Sequence, residues 1–306
     1  MPAFLRLAER FPVIVAVELA AVLVTGCWWS GRDIDLFTVD YRVWQGQVWR
    51  LLSSTLPHGD IFHLAFNLSC VAVFGSRVEE TFGSLLTALW LAVFAIGSQA
   101  AEYALARGGV GLSGVGYGLF GFLWVLSKRD ARFSDAVSAQ TAQLLIFWFF
   151  LCLALTYADI WHIANVAHAA GAGFGALAGL VMAPADGYRR QLAAVALACG
   201  LAAALLASSV GRPYVNLTGD AGQELAYRGY QALQRKDNRT AIDALEAAVR
   251  QPKAEADWWH NLGIAYWRES RHRDAARAFR RAFDLNPTDS EARDAVRQLD
   301  AGEAGK

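Results

Sequence analysis

Six polar side chains stand inside long apolar runs of this chain. His63 and Asn67 lie in HLAFNLSCVAVFG, Ser113 and Tyr117 in GLSGVGYGLFG, and Asn165 and His168 in ANVAHAAGAGFG. Strongly polar groups are expensive in such surroundings, so each is a candidate for function. A hydroxyl beside an imidazole makes a nucleophile with its general base, and imidazole and amide N–H groups can stabilise an oxyanion. Other chemistry stays open. A histidine in an apolar run is often a hydrogen-bonded structural group, and histidines bind metals. Against a metal, the chain has no HExxH and no carboxylate at ligand spacing. Ser113 is not in a hydrolase elbow either, because Val115 occupies the final glycine position of G-x-S-x-G. Carboxylates near the ends of the runs are set apart as ordinary. Glu18, inside the first run, has no evident role.

Spacing groups the six. His63 and Asn67 are i,i+4 and share a helix face, as do Ser113 and Tyr117, while Asn165 and His168 are i,i+3. Gly171, Gly175 and Gly179 continue near the His168 face, and Gly114, Gly118 and Gly121 offer a matching stripe after Ser113. Stripes of small residues let membrane helices approach closely. The runs around Ser113 and His168 are therefore expected to pack together and bring the two side chains into one site. His58, at the loop edge before the first run, reads as structural or water-facing.

The elements that must position these residues are membrane spans. A hydrocarbon core needs roughly 20 apolar residues in a helix, range about 17–25. The candidates are 11–29, 61–78, 85–104, 110–126, 142–158, 161–183 and 192–210. Arg6, Arg10, Arg77, Lys128, Arg129, Arg132, Arg189 and Arg190 fall on one side if the N-terminus is inside; Arg32, Arg42, Arg50 and Arg107 fall on the other. The four cysteines (Cys27, Cys70, Cys152, Cys199) all lie in apolar runs without zinc-site spacing and read as small buried hydrophobes. VTGC, ending at Cys27, has the form of a lipoprotein cleavage site, but Trp28 and Trp29 suit an interface anchor. The zero net charge points to no nucleic-acid partner.

Composition changes after the last run. Residues 221–306 hold 15 Lys or Arg against 14 Asp or Glu. The reading divides the chain into 1–210, a membrane domain; 211–221, a linker; and 222–306, a soluble helical domain. The last contains two similar units, with Gly229/Gly263, Ala241/Ala275 and Ala248/Ala282 each 34 positions apart. The second unit fits the tetratricopeptide repeat (TPR) pattern at Trp259, Leu262, Gly263, Tyr266, Ala275, Phe279, Ala282 and Pro287. The first is a weaker copy, with Leu225 in the tryptophan place, and 290–299 is expected to form a capping helix.

With these motifs in hand, the chain resembles the rhomboid family of intramembrane serine proteases over 11–183. GQVWR precedes HGDIFHLAFN (H-x4-H-x3-N), and GSRVEETFGS comes after it. GLSGVGYGLFG and ANVAHAAGAGFG then stand for the serine and histidine helices, all in family order. The resemblance implies an all-α polytopic membrane bundle, six core spans plus a seventh; the soluble TPR domain that follows is not part of the common family core. It implies a serine endopeptidase acting on transmembrane-helix substrates by a Ser113–His168 dyad. His63 and Asn67 would be oxyanion donors, with Tyr117, Asn165, Gly111 and Gly114 in support. No cofactor or metal is implied. The alternative is a catalytically silent adaptor of the same fold. Expected partners are the lipid bilayer, transmembrane protein substrates and a protein or peptide ligand of the TPR repeats. The expected location is a bacterial inner (plasma) membrane with the N-terminus cytoplasmic. A real seventh span would put the TPR domain on the periplasmic side.

Overall fold

Proline and capping carboxylates set where the first helices begin. In the computed structural model, which describes residues 3–218 and 220–304, α1 (Ala3–Arg10) gives way to α2 (Pro12–Trp29). Pro12 takes the first position of α2, where a missing N–H loses nothing. The buried carboxylate of Glu79 then accepts the amides of Val13 (3.0 Å) and Ile14 (3.1 Å), capping α2 from another helix. After α2 come single 3-10 turns at Asp35–Phe37 and Tyr41–Gln45 and the short α3 (Arg50–Ser53). Arg50 is fully buried and donates to the carbonyls of Asp35 and Thr38 and to Gln47 Oε1. It is therefore an anchor of this loop and a poor marker of topology, although sequence alone counts it with the outer charges. Arg42 grips Asp35 and Asp40, and its hydrogen bond holds the Asp35 carboxyl below the usual carboxylate range.

Asp60 caps α4 (Ile61–Cys70) by accepting the His63 amide at 2.9 Å. A π-helical turn, Val71–Gly75, leads into α5 (Ser76–Leu105). Gly83 breaks α5, with φ 78° and ψ 166°, a conformation L side chains rarely adopt. The expected second and third spans are thus one run of 45 residues, Ile61–Leu105, divided at Gly83. The remaining helices of this unit are α6 (Ser113–Arg129), α7 (Ala139–Tyr157), α8 (Asn165–Met182) and α9 (Gly187–Ser208). Among the described residues, five helical runs are long and apolar enough to cross a membrane: α2, Ile61–Leu105, α7, α8 and α9. α6, with 17 residues, lies at the lower limit of the spanning range. Its Leu119, Phe122, Leu123 and Leu126 are wholly enclosed by protein.

Several boundaries differ from expectation. α6 starts at Ser113 instead of Val110, because Gly111 turns the chain with φ 106°. α8 starts at Asn165 instead of Trp161, after a turn with Asp159 at φ 58°. α9 starts at Gly187 instead of Leu192, because Asp186 accepts the Arg189 amide and caps the helix early. Two cysteines also depart from expectation. Cys152 is buried and Cys70 half-buried, but Cys27 and Cys199 sit on outward faces of α2 and α9. Nothing in the structure gives Glu18 a role; its enclosed Oε1 has no partner among the described residues.

The glycine stripes sit where α6 and α8 touch. A methyl group on Gly171 would collide with the carbonyl of Gly114, one on Gly175 with that of Gly118, and one on Gly179 with that of Phe122. α9 lies against α5 and α8, with the Phe174 ring seated on Gly97 and Gly200. Trp44 Nε1 donates to the Ser208 carbonyl (2.8 Å), and Arg212 stacks over Tyr103 (3.8 Å to the ring centre).

The chain divides into two compact units between Arg212 and Pro213. After α10 (Arg212–Val215), the second unit holds α11 (Asp220–Gln234), α12 (Asn238–Val249), α13 (Ala256–Arg268), α14 (His272–Leu285) and α15 (Ser290–Ala304). α11 pairs with α12, α13 pairs with α14, and α15 packs on α14. The two pairs repeat the same contact: Leu245 rests on Gly229 and Phe279 on Gly263. The fold is all-helical, and no strand occurs among the described residues.

Candidate active site

Ser113 is the first residue of α6, and His168 lies in the first turn of α8. The close approach of these helices leaves Ser113 Oγ and His168 Nε2 2.8 Å apart. At that distance an imidazole can take the hydroxyl proton. His168 is buried, and its Nδ1 has no partner among the described residues, so no carboxylate completes a triad. Tyr117, one turn along α6, stacks on the His168 ring (centroids 4.8 Å apart, planes at 25°). The Tyr117 hydroxyl donates to the Leu145 carbonyl of α7 at 2.9 Å, which fixes the ring that backs the imidazole.

His63 lies against the loop that delivers the serine. A Cβ on Gly111 would fall 2.6–2.8 Å from the His63 ring, and its φ of 106° already favours glycine. The Gly111 amide donates to the Ser54 carbonyl at 3.1 Å. Asn67, one turn after His63 on α4, is buried, and its Nδ2 has no partner among the described residues. The two side chains thus offer N–H donors on one face of the helix beside α6. Gly114 is pressed between Ser98 of α5 and the Ala167 carbonyl of α8.

His58 is fully buried and does not face water. Its Nε2 accepts the Leu112 amide (3.2 Å), and its Nδ1 faces the Leu56 carbonyl (2.9 Å). It therefore holds the residue before Ser113 in place. Asn165 does not touch the His168 side chain through any hydrogen bond; its Nδ2 donates to Thr156 Oγ1 (2.7 Å) and ties the start of α8 to the end of α7.

Sequence reasoning missed Ser98 and Glu102. Both are buried on α5. Ser98 lies beneath Gly114, and Glu102 accepts the Ala167 amide at 2.9 Å. The signal was present: Ser98 and Glu102 are i,i+4 in GSQAAEYA, the same spacing as His63 and Asn67. Setting aside carboxylates near span ends hid it.

Known proteins resemble this chain in two separate stretches. Residues 45–185 match the model of the rhomboid domain, and residues 256–289 match that of the tetratricopeptide repeat. The chain is 30% identical to "Rhomboid protease GlpG" of Haemophilus influenzae over 145 residues, 46% of this chain and 76% of that protein. It is 27% identical to "Rhomboid protease GluP" of Bacillus subtilis over 251 residues, 80% of this chain and 47% of the relative. It is 29% identical to "RHOMBOID-like protein 1" of Arabidopsis thaliana, over 50% of this chain and 40% of that one. The chain thus spans three quarters of the Haemophilus protein and about half or less of the other two.

Proposed function

The chain belongs to the rhomboid family, and from that premise we propose that it is an intramembrane serine endopeptidase working through a Ser113–His168 dyad. The 2.8 Å separation of Ser113 Oγ and His168 Nε2 carries the reading. The hydroxyl donates its proton to neutral imidazole as Oγ attacks a carbonyl carbon, and the imidazolium then protonates the leaving amine. The stacked Tyr117 ring keeps the imidazole turned toward Oγ. The oxyanion meets the Ser113 amide and the side chains of His63 and Asn67. Water must then hydrolyse the acyl-enzyme. The substrate class is a transmembrane helix that can locally unwind, because a peptide bond within a helix is shielded from attack.

The protease domain is residues 1–210, and residues 222–306 form a protein-binding TPR domain joined by 211–221. The protein lies in a bacterial inner membrane with its N-terminus cytoplasmic and, with α9 as a seventh span, its TPR domain periplasmic. The decisive test is covalent labelling of the purified protein by a fluorophosphonate, with the modified residue mapped. Modification of Ser113, together with cleavage of a transmembrane substrate, supports the reading. An unlabelled protein that cleaves none of several substrates would instead support a silent adaptor of the same fold.

Asn67→Ala is expected to lower kcat by about 10²–10³-fold, the usual worth of one oxyanion donor, and to leave KM unchanged. A change confined to KM would remove Asn67 from that role. Deleting residues 222–306 is expected to leave cleavage of a generic substrate intact, because the repeats have their own hydrophobic core. Complete loss in a folded truncation would make the repeats part of the catalytic unit.

A further inference from the structure

α8 begins without a cap of its own. Its N-cap residue is Ala164, which has no side-chain acceptor. The first amides of a helix need partners, above all in surroundings that exclude water. Glu102 supplies one from α5 and faces the next: its carboxylate accepts the Ala167 amide at 2.9 Å and lies toward the Val166 amide. These are the second and third amides of α8, the pair that an N-cap Ser or Asp would satisfy within its own helix. Glu79, near the other end of α5, treats the second and third amides of α2 in the same way. α5 therefore carries two buried carboxylates, each capping the start of a different helix.

The two caps differ in the residues behind them. Behind Glu79 lies the body of α2, which carries none of the six site residues. Behind Glu102 lies His168, the residue next to Ala167. One turn before Glu102 on the same helix, Ser98 lies under Gly114, the residue next to Ser113. One face of α5 thus touches the backbone beside both members of the dyad. The bond from Glu102 ties the start of α8 to α5, and Ser98 on the same face meets the start of α6. A carboxylate at a helix start also meets the positive end of the helix dipole.

We propose that Glu102 is a positioning residue for His168, capping the histidine helix from outside and setting the Ser113–His168 distance. The proposal rests on the protease reading above. Its test compares purified full-length wild type with Glu102→Leu, Glu102→Asp and Glu102→Gln, and with Glu79→Leu as a control that removes the other cap. Substrate cleavage, thermal unfolding and hydrogen exchange of the segment holding residues 165–170 are measured on each. Glu102→Leu is expected to lower kcat by about 10²-fold, the scale of a misplacement near 1 Å, with KM unchanged. Its 165–170 amides should exchange faster. Glu102→Asp, which keeps the charge but retreats by one methylene, should fall almost as far. Glu102→Gln, which keeps one acceptor oxygen at the right reach, should recover most of the activity. Glu79→Leu should unfold earlier while retaining kcat at temperatures where it is folded.

A folded Glu102→Leu or Glu102→Asp with wild-type kcat would overturn the proposal. So would kcat losses that simply track unfolding temperature across all four variants, the control included. If Glu102→Leu does not fold, the Asp and Gln variants decide. An inactive wild type would sink the protease reading instead, and hydrogen exchange would still test the cap. Unchanged protection of 165–170 in Glu102→Asp would then overturn it.

Discussion

His168→Ala is expected to abolish cleavage as completely as Ser113→Ala, and the double variant to be no worse than either. In a dyad the two groups act as a unit, so removing one removes nearly the whole effect, on the order of 10⁴–10⁶-fold in kcat. The geometry makes the equality a sharp expectation. Ser113 Oγ has His168 Nε2 at 2.8 Å, and His168 Nδ1 has no carboxylate partner among the described residues. The measurement is cleavage of a transmembrane substrate by purified protein in detergent, alongside thermal unfolding of each variant. A folded His168→Ala protein with most of its activity would remove His168 as the base. Equal losses from the two single variants that add up in the double variant would mean that the residues act separately.

Gly175→Leu is expected to prevent α6 and α8 from assembling, whereas Gly173→Leu on the same helix is expected to be neutral. A Cβ at position 175 would drive into the Gly118 carbonyl, which is backbone and cannot swing aside. At Gly173 no atom of the described residues lies within 4 Å of the place a Cβ would take, and the residue faces outward. Overpacking in a dense core typically takes roughly 1–3 kcal/mol and can take more; a clash between helix backbones belongs at the upper end. Unfolding temperature in detergent and yield of folded protein are the readouts. Because the proposed dyad spans this interface, activity should disappear with the fold. A Gly175→Leu protein of wild-type stability would mean that α6 and α8 do not meet through their glycine stripes.

Much of the candidate site was legible in the sequence because membrane cost makes polar residues conspicuous. Ser113, His168, His63 and Asn67 stood out against their apolar runs, and the glycine stripes at 171, 175 and 179 indicated which two helices must meet. Tyr117 shared the Ser113 face one turn on, and the structure stacks it on His168. Other features gave weaker signals. His58, at a loop edge, read as structural or water-facing; folding buries it and makes it structural, accepting the Leu112 amide. Arg50 looked like a charge marking the outer side, yet it is an internal anchor. Cys27 and Cys199 looked buried because their runs are apolar, but an apolar helix also has a face that lipid covers.

By itself the sequence determined the chemistry on offer, the helices that carry it and the pair of stripes along which two of them pack. These depend on local quantities: side-chain type, a period of 3.6 residues per turn, and the penalty for polar groups in an apolar run. Only the tertiary structure decided the 2.8 Å between Oγ and Nε2, the burial of His58 and the cap that Glu102 gives to a helix 65 residues further along the chain. Those depend on the relative height and rotation of separate helices. Backbone amides carry no side-chain identity, so no residue type at the start of α8 announces which distant carboxylate will satisfy them.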